Sequence, residues 1–319
     1  ETEMPGFGRR FPHPWGPSDG KYYTTLLTLS PAGDEITVDF AKTLLSAEQL
    51  GQDSVTDYLS VSLSSTDYVG HIFGPSSLES EDNFAQLDRQ IADLLRHVEA
   101  SVGLDKTLIV LSADHGAPEH PDYLAQYGIK AGLFDFETVN TEPGFARLHS
   151  EFGVSRDLIQ NFSNPYVYLD QTVIADRGLD PVVVENAVAA ELQKLPGIAY
   201  AVSSSALRRG SFPNTKISKA VLANFNPDRS GDIYVVFEPH WYVADLDGLT
   251  VASAHGSPWT YDTHVPLIFA GPGLSPRTVS RRVETVDVEP TIAVFLGTKQ
   301  PSGATGLTLP EVKHDANAN

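Results

Sequence analysis

Three times in this chain an apolar run of strand length abuts a short motif of acid and imidazole, and this limits the folds open to it. Residues 58–63 alternate Tyr, Ser and aliphatics and lead into Ser64-Ser65-Thr66-Asp67-Tyr68-Val69-Gly70-His71. Residues 107–111 are almost wholly apolar and lead into Ser112-Ala113-Asp114-His115-Gly116. The third motif, Tyr261-Asp262-Thr263-His264-Val265-Pro266, comes directly before an apolar run at 266–269. Polar groups at strand ends are where open α/β sheets bind their ligands. Between the first two motifs, Phe84, Leu87, Ile91, Leu94, Leu95 and Val98 recur at helical spacing and predict a long helix over 81–102. Strand, loop, helix, strand, loop is the order of a βαβ unit. The expectation is an α/β fold with a mostly parallel sheet flanked by helices.

The motifs carry metal-binding chemistry as a set rather than singly. Asp67 and His71 are four positions apart, so one helical turn puts both on one face, where they can share an ion. Alone, such a pair is more often a solvated turn. Asp114 and His115 are adjacent and can serve one site only if the backbone turns sharply, which Gly116 permits. His264 alone reads as a strand-edge histidine. Carboxylate mixed with imidazole suits zinc better than calcium or magnesium, which prefer all-oxygen cages. His255 and Asp262 are candidates for outer partners that fix an imidazole tautomer. His13, His149, His240 and His314 lie in no such motif and read as ordinary surface or core residues.

Lys plus Arg number 22 against 41 Asp plus Glu, a formal charge of −19. Such a surface repels nucleic acid and anionic membranes at long range, so no nucleic-acid partner is expected. An anionic ester would need local positive charge, which bound metal ions supply. The chain has no cysteine, which excludes disulfide scaffolds and Cys-rich zinc fingers. No apolar stretch approaches the roughly 20 residues of a membrane span, and no signal peptide is visible.

Along the chain, the proline-rich stretch 1–20 reads as a surface loop and 39–50 as a helix. From about 119 the character changes to that of a smaller α+β cap. Within it lie a helix over 181–195, initiated by Pro181, and strands over 163–172 and 197–203. Strand character resumes at 233–237, and a helix closes the pattern at 288–296. The expected division is therefore a first part of the core over 1–118, an inserted cap over 119–230, the rest of the core over 231–312 and a disordered tail over 313–319.

Taken in order, these motifs resemble the alkaline phosphatase superfamily, most nearly its phosphate-irrepressible alkaline phosphatase branch and the related type I phosphodiesterase/nucleotide pyrophosphatases. The likeness is strongest from Asp57 to Gly116, including Phe73-Gly74-Pro75 and Leu87-Asp88-Arg89, and again from His255-Gly256-Ser257-Pro258 to Pro266. The resemblance implies that Asp67, His71 and His264 hold one zinc ion, and that Asp114 and His115 contribute to a second. It implies hydrolysis of phosphate monoesters through a Thr or Ser phospho-enzyme, with a phosphodiesterase on the same metals, or a non-catalytic metal-binding fragment, as alternatives. It also implies a periplasmic or secreted setting. The family's first metal Asp, its nucleophile and its phosphate-binding Lys and Arg lie upstream of the matched region and have no counterpart here. The expectation is a C-terminal portion whose catalytic nucleophile is absent from these residues and whose partner is an upstream polypeptide of the same precursor.

Overall fold

The computed structural model describes residue 8 and residues 10–246 and 249–312, so the tail expected at 313–319 lies outside the described residues. The chain divides into two compact units, Glu1–Asp114 with Val265–Asn319, and His115–His264.

The first unit is mainly helical. It holds α1 (Tyr23–Thr28), α2 (Pro31–Ala47), α3 (Ser65–Phe73), α4 (Leu78–Ser101), α12 (Val288–Phe295) and the strand pair β1 (Ile109–Ser112) and β10 (Leu267–Ala270). Helix α2 starts earlier than its apolar pattern suggests because Pro31 occupies its first turn with φ already set for a helix. Helix α4 starts at Ser77, whose side chain accepts from the Ser80 N–H at 3.1 Å, with Glu79 and Glu81 in the positive first turn. Its covered line is not quite the expected one. Phe84 is 57% exposed, while Asn83, one position away, is buried at 1%. The helix is therefore turned so that a polar residue faces inward.

Two expectations for the core need correction. β1 and β10 run antiparallel, with Ser112 opposite Leu267 and Ile109 opposite Ala270. The chain leaves β1 at Ser112 and, after the 115–264 insertion, re-enters opposite the same residue. A return at the end it left forces the antiparallel sense. Residues 58–63 keep an alternating exposure but form no strand, because no described strand offers them a ladder.

The second unit is built on a four-stranded antiparallel sheet. Its strands are β3 (Ile159–Ser163), β4 (Tyr166–Leu169), β5 (Ile198–Ser203) and β6 (Ile233–Phe237), in the order β3-β4-β6-β5. All five residues of β6 are buried, and β6 pairs with both β4 and β5. The expected boundary at 231 is thus displaced: 233–237 is an inner strand of this unit, not a return to the core. The single strand expected over 163–172 is instead a hairpin followed by α7 (Gln171–Asp176), whose cap Asp170 accepts from the Thr172 and Val173 N–H groups. Helix α8 (Pro181–Leu192) covers the sheet with Val184, Val188 and Leu192, each fully buried. These join Phe145 of α6 (Pro143–Phe152), Leu158 and Ile233 in the larger apolar core. Each such side chain contributes roughly 1.5–3 kcal/mol of burial. Shorter elements complete the unit: α5 (Pro121–Ala125), α9 (Ser204–Arg208), α10 (Lys216–Asn224) and α11 (Thr260–Thr263), a parallel pair β2 (Gly132–Leu133) and β7 (Trp241–Tyr242), and a hairpin β8 (Asp245–Leu246) and β9 (Leu249–Thr250).

Candidate metal centre

In the first unit, α3 carries Asp67 in its first turn and His71 in its last. The helix dipole favours an acid near the N-terminus, where Asp67 stands. His71 Nε2 lies 3.5 Å from Asp67 Oδ1. Two ligands at about 2.0–2.1 Å on a tetrahedral zinc ion stand about 3.3 Å apart, so this donor pair fits one ion. The His71 side chain is only 10% exposed and the Asp67 side chain 39%, which leaves the carboxylate the more accessible of the two.

The sequence reading missed two residues that set α3 in place. Asp34 of α2 is 2% exposed, and its Oδ1 accepts from the Ser65 N–H at 3.0 Å. Ser64, the residue at the cap position, makes no side-chain cap bond, so α2 supplies the cap from a distance. Burial pushes the Asp34 carboxyl up from its ordinary value, against the lowering effect of the Ser65 and Ser64 hydrogen bonds. Asn83 of α4 donates to Thr66 Oγ1 at 2.9 Å. Its signal was present in the sequence: Asn83 shares a helical face with Leu87, and a polar residue on an apolar stripe needs a partner. Asp114 ends the first unit, exposed, directly after β1.

In the second unit, His115 and His255 stack face to face, ring centroids 3.4 Å apart and planes 14° from parallel. His115 Nδ1 lies 3.0 Å from the Gly116 carbonyl. A carbonyl only accepts, so this contact places the proton on Nδ1. Gly116 does not work by a left-handed turn, as its position had suggested. A Cβ there would stand 2.1 Å from the Tyr261 carbonyl oxygen, so what it permits is close approach of α11. The His255 loop is tied down on several sides. Asn164 Nδ2 donates to the His255 carbonyl at 2.8 Å, Ser253 Oγ to Pro118 O at 2.6 Å, and Trp259 Nε1 to Phe237 O at 2.9 Å. Gly256, at φ +105°, makes the turn that follows.

Asp262, 3% exposed, accepts from the Ser257 N–H at 2.7 Å through Oδ2. Burial raises its carboxyl above the usual range; hydrogen bonds from Ser257 and attraction to His115 oppose the rise. His264 closes α11, exposed, with its N–H on Thr260 O at 2.9 Å. His240, expected to be ordinary, stacks on Tyr261 at 4.6 Å with a left-handed φ of +63°. Burial holds its imidazole below the ordinary value.

Comparison with known proteins places the chain in a family. The family model of type I phosphodiesterase / nucleotide pyrophosphatase matches residues 9–264. The "Calcium-transporting ATPase" of Myroides odoratus is 36% identical over 288 residues, covering 90% of this chain and 52% of that protein. Alkaline phosphatase PafA of Elizabethkingia meningoseptica is 35% identical over 287 residues, covering 90% and 51%. The crystal structure of wild-type alkaline phosphatase PafA superposes with a TM-score of 0.80 at 34% identity, over 90% of this chain and 54% of that one. An α/β chain with these Asp/His motifs and this likeness is a member of the alkaline phosphatase superfamily. Within it, the chain belongs to the type I phosphodiesterase / nucleotide pyrophosphatase family. It spans about half the length of the curated relatives it matches.

Proposed function

We infer that the chain carries the metal-ligand half of a phosphoester hydrolase, acting on phosphate monoesters. The observation that carries this reading is the Asp67–His71 pair, two ligand types of zinc chemistry at a ligand-to-ligand distance on one short helix. Asp67, His71 and His264 hold one zinc ion, and Asp114 and His115 contribute to a second. A specific observation favours a variant of this set in which His255 replaces His264: the His255 ring lies against His115, whereas His264 is exposed at a helix end. Zinc in such a site acts as a Lewis acid toward phosphoryl oxygens and lowers the pKa of a bound hydroxyl.

The chain's own residues do the positioning. Asp34 and Asn83 fix the helix that bears Asp67 and His71. The Gly116 carbonyl holds the proton of His115 on Nδ1. With a formal charge of −19, the chain gives a phosphate dianion no general attraction, so ester binding depends on the metal-bearing patch. In this reading the nucleophilic Thr or Ser is not among the residues matched here to the metal-ligand motifs. The setting is periplasmic or secreted, and among the described residues no helix is long and apolar enough to cross a membrane. Phosphodiester or nucleotide pyrophosphate hydrolysis is the second reading, favoured by the description of the matching family.

The test is elemental analysis of the dialysed chain. Zinc should remain with wild type and be lost from Asp67→Ala and His71→Ala. A wild-type chain without zinc overturns the reading. His264→Ala and His255→Ala, measured separately, decide which histidine is the third ligand. Aryl phosphate and diaryl phosphate, offered to the enzyme with its upstream part, separate monoesterase from diesterase.

A further inference from the structure

Two loops of the second unit bring imidazoles together, and one buried residue touches both loops. The Asp262 carbonyl accepts from the Gly116 N–H at 2.7 Å, directly after His115. Its carboxylate accepts from the Ser257 N–H at 2.7 Å, two residues after His255. Asp262 is 3% exposed, and its second carboxylate oxygen, Oδ1, is buried without a hydrogen-bond partner. A buried carboxylate left half satisfied costs stability. The approach on the Gly116 side is close enough to exclude any side chain there, since a Cβ would meet the Tyr261 carbonyl at 2.1 Å. α11, with its four residues, therefore works as a spacer whose thickness sets how far apart the two histidine loops stand.

We propose that Asp262 is a positioning residue, which sets the face-to-face register of His115 and His255 by bonding the 113–116 turn through its carbonyl and the 255–257 turn through its carboxylate. This deepens the reading given under Proposed function, since those imidazoles are metal ligands only if that reading holds. The register itself belongs to the metal-free chain. Removing the carboxylate frees the 255–257 turn while Gly116 stays bound to the main chain, so the rings part. An amide of the same shape keeps an acceptor oxygen at the Ser257 N–H. A glutamate keeps the charge but displaces the acceptor by one methylene.

The experiment uses the full 319-residue chain in EDTA, with His115 and His255 ring protons assigned by His115→Gln and His255→Gln. Wild type and Asp262→Asn should show a strong ring-to-ring nuclear Overhauser contact; Asp262→Ala and Asp262→Glu should lose it while keeping the far-ultraviolet circular dichroism of a folded chain. In a parallel titration with zinc alone, Asp262→Asn should bind within about threefold of wild type and Asp262→Ala at least tenfold more weakly. A contact preserved in Asp262→Ala overturns the proposal. So does a contact kept by Asp262→Glu and lost from Asp262→Asn, which would make charge, not placement, the cause. If Asp262→Ala fails to fold, the Asn and Glu pair decides alone. A wild type that shows the contact but takes up no zinc defeats the metal reading and leaves this inference standing.

Discussion

Single residues set the local conditions of the candidate centre, and Asp34 is the one whose effect can be read by pH. Burial raises its folded-state pKa above the ordinary 3.8, so folding favours the protonated form. The stability linked to this group is therefore fully present below pH 3.8 and lost as pH rises through the raised folded value. Asp34→Asn keeps an acceptor for the Ser65 N–H and removes the titration. In EDTA, the urea midpoint of wild type should fall over that window relative to the variant; parallel pH profiles would contradict the burial argument. Gly116→Ala tests close approach. With a Cβ 2.1 Å from the Tyr261 carbonyl, backbone must move, and a loss of about 1–3 kcal/mol is expected in chemical denaturation. A variant as stable as wild type would show that α11 is free to shift. Neither residue was legible in advance. Asp34 lies ahead of the stretch expected to be helical, and the reason for Gly116 is a carbonyl 145 positions away in the chain.

At the scale of elements, legibility followed the locality of the cause. Helices α4 and α8 and strand β6 came out within a few residues of their expected limits, because caps, prolines and apolar periods are written within each segment. The errors lie where a distant partner decides. Residues 58–63 have the alternation of a strand and no described partner. Asn164-Pro165, read as part of one strand, instead turns β3 back onto β4. Of the candidate site residues, the positions of Asp67 and His71 followed from helical spacing, whereas the meeting of His115 with His255 could not, as 140 residues separate them. Two element-scale outcomes follow. Ser77→Ala removes the cap of α4 and should cost about 1 kcal/mol, measurable as a shift in denaturant midpoint. Backbone amides of residues 58–63 should exchange with solvent quickly in the isolated chain, since nothing described protects them. Slow exchange there would mean that a pairing partner is already in place.

Over the whole molecule, apolar burial is uneven. Both hydrophobic core clusters of the described residues lie within the second unit. The first unit leaves Ile36, Phe40, Tyr58 and Phe84 more than half exposed, and Leu111 and its partner Ile268 at 40% and 51% on one face of a two-stranded ribbon. A ribbon of two short strands is marginal alone and needs further strands or a covering layer. The chain also spans only about half of the relatives it matches. The proposal that the remaining half of the family's length supplies strands beside β1 and the nucleophilic hydroxyl accounts for both facts. It makes a chemical prediction. The isolated 319 residues, supplied with zinc and a radiolabelled aryl phosphate and quenched in acid, should retain no covalent phosphate. A phosphorylated Ser or Thr trapped within these residues would place the nucleophile here instead, and the uncovered face of the first unit would need another explanation.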